Sequence, residues 1–418
     1  MLRCVSKSRE WISCVLILGT GFLWVNSGLS AETDTKAKGV DKNKTALQNA
    51  GWTQKMRSMA AVLGEILVDA SREDKFYSKE AAPKIQKNIA ELSKLAHEVS
   101  DLKGSPDMDP SLGMFSGLFA EEAKRAEAEF KKGHKPYART LVRALSGYCI
   151  ACHSRTQSGV DFPLVGTAPL RGALATMSPL QRGEFYAASR QFDRALNEFS
   201  SVLTNPKVIE DQPIAWERAL RFSLAIAVRF KQDPKLALEL VESVVKAPKT
   251  PRFLKELAGE WKKSIDDWKR EGVRSTPTEE GLYSESVRLF AQARELQKYP
   301  ADRSADVVYL RLTAKLHELL REFPKGARVP ESFLMAGLAY ETLRDLNLWD
   351  LHELYYVGCI ERAQHSDLGM RCYRQYEESL YFGYSGSGGT YLPPDIRKRL
   401  GDLEQKASPE SDKKLQRQ

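Results

Sequence analysis

Residues 136–153 read PYARTLVRALSGYCIACH, and this stretch decides how the first part of the chain is interpreted. Its larger side chains recur at steps of three and four, namely Tyr137, Leu141, Leu145, Tyr148 and Cys152. This spacing places them on one face of a helix, and Pro136 suits a helix start. The sequence therefore predicts an amphipathic helix that closes on Cys149, Cys152 and His153.

These last three residues form a Cys-x-x-Cys-His motif, the attachment signature of c-type haem. Two thiols one helical turn apart can form thioethers with the two haem vinyl groups, and the next residue supplies an imidazole to the iron. On a helix, Cys149 and His153 stand at i and i+4 on one face. We therefore predict one covalently attached haem c, with Cys149 and Cys152 as anchors and His153 as the proximal iron ligand.

Three other interpretations of the motif have less support. A thioredoxin-like Cys-x-x-Cys needs a preceding strand in an α/β setting, and no strand pattern precedes Cys149. A zinc site needs a second ligand pair at suitable spacing, which the sequence lacks. A disulfide between Cys149 and Cys152 would give His153 no role.

Three more amphipathic stripes precede the motif, the third of them entered after Asp109-Pro110. They comprise Trp52, Met56, Met59, Leu63 and Ile66; Ile85, Ile89, Leu92, Leu95, Val99 and Leu102; and Phe119, Ala123, Ala126 and Phe130. Each helix alone is too weak to be stable. Together they predict a four-helix bundle around the haem over residues 50–156.

Four helices with Cys-x-x-Cys-His at the end of the last one resemble class II cytochromes c, the cytochrome c-prime group. The segment SKEAAPKIQKNIAELSKLAHEVSDL (78–102) is similar in cadence to that family's second helix, and YCIACHSR (148–155) to its fourth. The resemblance covers residues 50–156, about a quarter of the chain. It implies that Cys149 and Cys152 are the thioether anchors and that His153 is the proximal ligand.

The resemblance leaves the sixth iron position open, because family members either keep it empty for small gaseous ligands or fill it with a methionine from the first helix. Here Met59 or Met56 would be that ligand, with Met59 slightly preferred, and the alternative is that both are ordinary core methionines. His97 and His134 are further candidates. So are Met108 and Met114, which lie in the predicted loop before the third helix.

The N-terminus has the layout of a secretory signal peptide. Three basic residues precede an apolar run from Trp11 to Val25, and small residues follow up to Ala31. The run is shorter than the roughly 20 residues that span a bilayer, so we predict cleavage of residues 1–31 and a periplasmic location. An uncleaved anchor is the alternative and the only membrane contact expected. Residues 32–49 are predicted to be a flexible lead-in.

After a predicted linker at 157–178, the chain resembles a tetratricopeptide array. The matching positions are Gly183, Tyr186, Ala195, Phe199, Val202 and Pro206, with a weaker copy at Ala237, Val241, Val244 and Pro248, 42 residues later. Further helices are predicted at 253–270, 279–298, 303–323, 330–345, 349–363 and 367–382. We predict an α-solenoid of helical hairpins over 179–405 and a disordered tail at 406–418.

Solenoids expose concave faces that bind protein segments, so this domain is interpreted as a docking platform for a periplasmic redox protein or protein segment. The alternative is a packed domain that only covers the haem. Cys359 and Cys372 lie on two consecutive predicted helices joined by a short turn, and we predict a disulfide between them. Closing a loop of about 14 residues would stabilise the fold by roughly 3 kcal/mol.

Composition limits the other functions. Of 418 residues, 42% are hydrophobic, which excludes a wholly disordered chain. The net charge of +8 falls to +6 once residues 1–31 are removed and forms no basic block, so no nucleic-acid partner is expected. The glycine-rich stretch at 383–390 follows no strand and lacks Gly-Lys-Ser/Thr, so it is interpreted as a flexible turn rather than a phosphate loop.

The predicted function is one-electron transfer by an exported mono-haem cytochrome, with no motif that supports enzymatic turnover. Two alternatives stay open at this point. An empty sixth position would favour a haem protein that binds or senses a gas. A redox-silent iron would favour a periplasmic repeat scaffold with a mainly structural haem.

Overall fold

The computed structural model describes residues 35–102, 109–155, 172–271, 278–343 and 351–409, with side chains from residue 51 onward except that of Leu102. Helices dominate all of these ranges. The strands within them form one two-stranded antiparallel hairpin, β1 (Ser385–Gly386) and β2 (Gly389–Thr390). The predicted all-α fold class is confirmed, and the glycine-rich stretch, predicted to be a flexible turn, forms this short hairpin.

The helices up to the haem motif are α1 (Thr35–Ser71), α2 (Glu73–Tyr77), α3 (Ala82–Leu102), α4 (Pro110–Lys131) and α5 (Lys135–His153). Those that follow are α6 (Pro179–Ala188), α7 (Phe192–Leu203), α8 (Pro206–Asp211), α9 (Pro213–Ala225), α10 (Pro234–Lys246), α11 (Arg252–Glu271), α12 (Glu279–Leu296), α13 (Asp306–Glu322), α14 (Val329–Leu343), α15 (Leu351–Arg362), α16 (Asp367–Gly383) and α17 (Pro394–Ala407). A π-helical segment, Ile226–Phe230, continues α9.

Local sequence signals fix several helix starts. Helices α4, α6, α8, α9, α10 and α17 each begin with a proline, which has no N–H to leave unpaired there. Asp109 caps α4, because its carboxylate accepts a hydrogen bond of 2.9 Å from the Ser111 N–H. Ser178 and Gln181 form a reciprocal capping box at the start of α6.

The first apolar core lies between α1, α3, α4 and α5. It contains residues from all four predicted stripes, among them Leu63 and Ile66, Ile89 and Leu92, Ala123 and Phe130, and Leu141 and Leu145. Tyr137, predicted on the same face, is instead 47% exposed. Phe76 of the short helix α2 is fully buried and packs edge-on against Phe130 with ring centroids 5.5 Å apart. Helix α6 also contributes, through Phe185.

The second core fills the space between the later helices, which pack in consecutive pairs: α6 with α7, α10 with α11, α12 with α13, α14 with α15, and α15 with α16. In the first pair, a Cβ at Gly183 would lie 2.4 Å from the Phe199 ring, so only glycine permits this approach. Phe115 of α4, and Ile150 and Ala151 of α5, belong to this core too. Contacts join Asn49–Gln418 into one compact unit.

Some predictions concern residues outside the described ranges. These are the signal peptide at 1–31, most of the linker at 157–178, the candidate ligand Met108 and most of the tail at 406–418. Helix α1 begins at Thr35, within the predicted lead-in at 32–49. Among the described helices, none combines the length and the apolar character needed to cross a membrane.

Candidate functional site

The Cys-x-x-Cys-His motif lies on the last turn of α5, as the sequence predicts. Helix α5 ends at His153, and the Ser154 N–H closes it with a hydrogen bond of 2.9 Å to the Ile150 carbonyl. Cys149 and Cys152 are free thiols, each partly buried, and so do not form the alternative disulfide. Burial, and to a smaller degree the Cys152 thiol, raises the pKa of the Cys149 thiol to about 12.

Two cavities meet at this turn. Their volumes are about 40 Å³ and about 20 Å³, smaller than the range of about 300–1,000 Å³ that is usual for small-molecule and cofactor pockets. Both are lined by Met56, Met59, Cys149 and His153. The remaining lining of the larger cavity is mostly apolar and comprises Trp52, Val99, Leu112, Phe115, Ser116, Phe119, Tyr148 and Cys152.

The His153 ring is buried, and its protonation is fixed by a backbone contact. Nδ1 lies 2.7 Å from the carbonyl oxygen of Ala188 at the end of α6. Because a carbonyl oxygen only accepts, Nδ1 must carry a hydrogen, and in the neutral ring Nε2 therefore carries the lone pair. An imidazole held in this tautomer is a metal ligand through Nε2.

Met56 and Met59, both on α1, are the sequence-predicted distal candidates that the structure brings to the cavities. Their side chains are 8% and 5% exposed, and each lines both cavities beside Cys149 and His153. A thioether sulfur in such a place can pack as an ordinary core atom or coordinate a metal. Because both methionines line the cavities beside His153, each remains a candidate for the distal iron ligand.

The other described candidates lie elsewhere. His97, on α3, is partly exposed, and its Nδ1 donates a hydrogen bond of 2.8 Å to the Ser93 carbonyl. His134 is exposed before α5 and lies 2.7 Å from a Glu129 carboxylate oxygen. Met114, predicted to lie in a loop, lies on α4 and packs beside Gly358 of α15. None of the three lines either cavity.

Arg155, two residues after the histidine, is buried and ties α4 to α15. Its guanidinium lies 3.9 Å from the centre of the Phe115 ring and donates to the hydroxyl groups of Ser111 and Tyr355. An Asp109 carboxylate oxygen is 3.8 Å away and supplies opposite charge. Phe115 also lines the larger cavity, so Arg155 supports a wall of this cavity through its contact with the Phe115 ring.

A second buried arginine reaches the same turn from the π-helical segment. Arg229 donates to the Ser154 hydroxyl at 3.1 Å and to the Tyr340 hydroxyl at 3.3 Å. The Tyr340 and Tyr355 hydroxyls both lie within 3.2 Å of Nε2 of His317. Burial and the nearby guanidinium groups hold the pKa of His317 well below its usual value, so this histidine is neutral.

Sequence reasoning missed these partners. Ala188 and Arg190 form hydrogen bonds with His153, Arg229 with Ser154, and His317 with Tyr355. Each of these contacts spans 35 or more residues, and no local pattern marks them. Within the described ranges, no three His, Cys, Asp or Glu side chains gather as ligands of a bare metal ion. Comparisons with protein-family models, with curated proteins and with solved structures find no match to this chain.

Proposed function

We propose that this chain is an exported mono-haem c-type cytochrome that transfers single electrons. One observation carries the proposal: the two thiols, a histidine with its lone pair on Nε2 and two methionine sulfurs all line the cavities at the end of α5. The two thiols and the histidine are the groups that attach haem c and ligate its iron, and a methionine sulfur can supply a second iron ligand. The apolar lining also fits a macrocycle that must be kept from water.

The residues would divide the work as follows. Cys149 and Cys152 would hold haem covalently, and His153 would ligate the iron through Nε2. When bound, haem supplies an iron that accepts and releases one electron. Ala188 orients the His153 ring and raises its basicity as a ligand, because its carbonyl accepts the Nδ1 hydrogen. Phe119 and the other apolar side chains of the lining exclude water from the site.

The finer fold belongs to the same proposal. Helices α1, α3, α4 and α5 would form the four-helix haem bundle, since they share the first core. The later helices would form the solenoid, since they pack in consecutive pairs. The disulfide between Cys359 and Cys372 supports an oxidising compartment outside the cytoplasm.

For the partner, we propose that the later helices dock a periplasmic redox protein. A groove beside α9 and α11 has a volume of about 600 Å³, and Trp216 and Trp261 contribute buried rings to it. Phe253 and Tyr299 line the same groove with 66% and 61% of their surface exposed. Exposed aromatic side chains in a groove are typical of protein interaction sites.

The docking proposal is tested by replacing Phe253 and Tyr299 together with serine. We expect slower reduction of the protein by a periplasmic extract and an unchanged haem spectrum. An unchanged reduction rate would contradict docking at this groove, whereas the haem assignment would stand.

The haem assignment is tested on the exported full-length protein. We expect a thioether-haem spectrum that is lost from the chain when Cys149→Ser and Cys152→Ser are combined. The matched control is Cys359→Ala with Cys372→Ala, which removes the other cysteine pair and leaves haem attached. Absence of covalent haem from the wild-type chain would refute the proposal.

The distal ligand is tested with two volume-conserving variants, Met56→Leu and Met59→Leu. We propose that one sulfur ligates the iron, so that the reduced wild-type protein does not respond to carbon monoxide. Loss of the ligating sulfur should open the iron to carbon monoxide, while the other variant serves as its control. Ready binding of carbon monoxide by the wild-type protein would instead indicate the gas-binding function.

A further inference from the structure

The turn between α6 and α7 contacts His153 at two points. The Ala188 carbonyl accepts the Nδ1 hydrogen at 2.7 Å. Two residues later, Nη1 of Arg190 donates a hydrogen bond of 2.9 Å to the backbone carbonyl of His153 itself. The segment 188–190 therefore forms hydrogen bonds with both the ring and the main chain of His153.

These two hydrogen bonds also complete the ends of two helices. The last carbonyls of a helix have no partner within it. The His153 carbonyl ends α5 and is satisfied by Arg190, and the Ala188 carbonyl ends α6 and is satisfied by His153. Helix α5 thus satisfies the end of α6, and the turn that follows α6 satisfies the end of α5, so a shift of this turn must change the contacts of the histidine.

Arg190 is held in place by its own backbone and surroundings. Its φ is +61°, in the left-handed region that non-glycine residues seldom adopt. Its side chain is buried, with the guanidinium 6.0 Å from the Phe192 ring centre and 5.6 Å from that of Phe230. Such a conformation persists only where the surrounding structure enforces it.

We propose that Arg190 is a positioning residue for His153 and that the α6–α7 turn sets the reduction potential of the haem site. The inference rests on the proposed function, because it concerns the ligand assigned there. A buried positive charge close to the site favours the reduced state, which carries one positive charge less. The hydrogen bond to Ala188 acts in the opposite direction, because a more basic imidazole favours oxidised iron.

The test measures the reduction potential of full-length variants by spectroelectrochemistry, together with their haem content. Arg190→Asn removes the charge with a residue that tolerates positive φ, and Arg190→Gln is a second neutral variant should the first fail to fold. We expect a lower potential in either neutral variant. Arg190→Lys keeps the positive charge, so its reduction potential should stay close to that of the wild type.

The matched control is Arg194→Gln, which neutralises an exposed arginine on the same hairpin. We expect its potential to equal that of the wild type. A neutral variant at position 190 that retains haem with an unchanged potential would overturn the inference and leave the proposed function intact. A wild-type chain without haem would overturn both.

Discussion

The disulfide between Cys359 and Cys372 joins α15 to α16 and offers the most quantitative test of the structure. The two Cα atoms are 6.1 Å apart, and both residues are fully buried in the second core. The perturbation is the double variant Cys359→Ala with Cys372→Ala. Alanine avoids placing the unpaired hydroxyl of a serine in the core.

The expected loss follows from the length of the closed loop. The cysteines are 13 positions apart, so the cross-link closes a loop of about 14 residues. In the chain-entropy model this constraint on the unfolded state is worth about 3 kcal/mol at 25 °C. With a urea m-value of about 3 kcal/mol/M, the midpoint of unfolding should fall by roughly 1 M.

The assay is urea unfolding of the full chain followed by tryptophan fluorescence. Wild-type protein reduced with dithiothreitol is the control, because it loses the cross-link and keeps both sulfur atoms. We expect the free energy of unfolding to decrease by a similar amount in the reduced protein and in the double variant. A loss below about 1 kcal/mol in both would refute the entropic reasoning, and free thiols at both positions in the oxidised protein would refute the disulfide itself.

Two further perturbations test the cores. Gly183→Ala should destabilise the protein by about 1–3 kcal/mol, because its Cβ would lie 2.4 Å from the Phe199 ring, and an unchanged urea midpoint would contradict this packing. His317 stays neutral in the folded state, so only the unfolded chain gains its proton below pH 6.5. The stability of the wild type relative to His317→Gln should therefore fall by up to about 1.4 kcal/mol per pH unit below 6.5, and a pH-independent difference in urea unfolding would show that this histidine is charged when folded.

The helices could be predicted from the sequence because the spacing of apolar residues is a local property of the chain. The predicted segments 253–270 and 279–298 correspond to Arg252–Glu271 and Glu279–Leu296, and the later helices agree similarly well. Buried residues were also predictable, since Ile89, Ala123 and Leu145 of the amphipathic stripes lie in the first core. The disulfide was predictable because a short helical hairpin leaves few relative positions for its two cysteines.

The candidate site could be predicted only in part, for the same physical reason. Cys149 and His153 are neighbours on one helix, so the spacing alone places them on one face. The cavity wall on α1 followed from the methionine stripe. The contact with Ala188 could not be predicted, because any residue has a carbonyl and only the packing of α5 against α6 selects this one.

The predicted linker at 157–178 separates the predicted haem bundle from the predicted repeat domain. Each of the two apolar cores nevertheless contains residues from both sides of this linker. Phe185 of α6 enters the first core, while Phe115 and Ile150 enter the second. A fragment that ends at Ser178 would therefore expose Phe115 and Ile150, lack Phe185 and lose the Ala188 carbonyl that orients His153.

We expect this fragment to bind a hydrophobic dye, to unfold at lower urea than the full chain and to show a changed reduction potential if it carries haem. The physical reason is that burying each such side chain contributes about 1.5–3 kcal/mol, which the fragment forgoes. A fragment with the stability and potential of the full chain would show that the haem region folds on its own. In that case the contact between α5 and α6 would not affect the properties of the haem site. The role proposed for Arg190 would then be refuted as well.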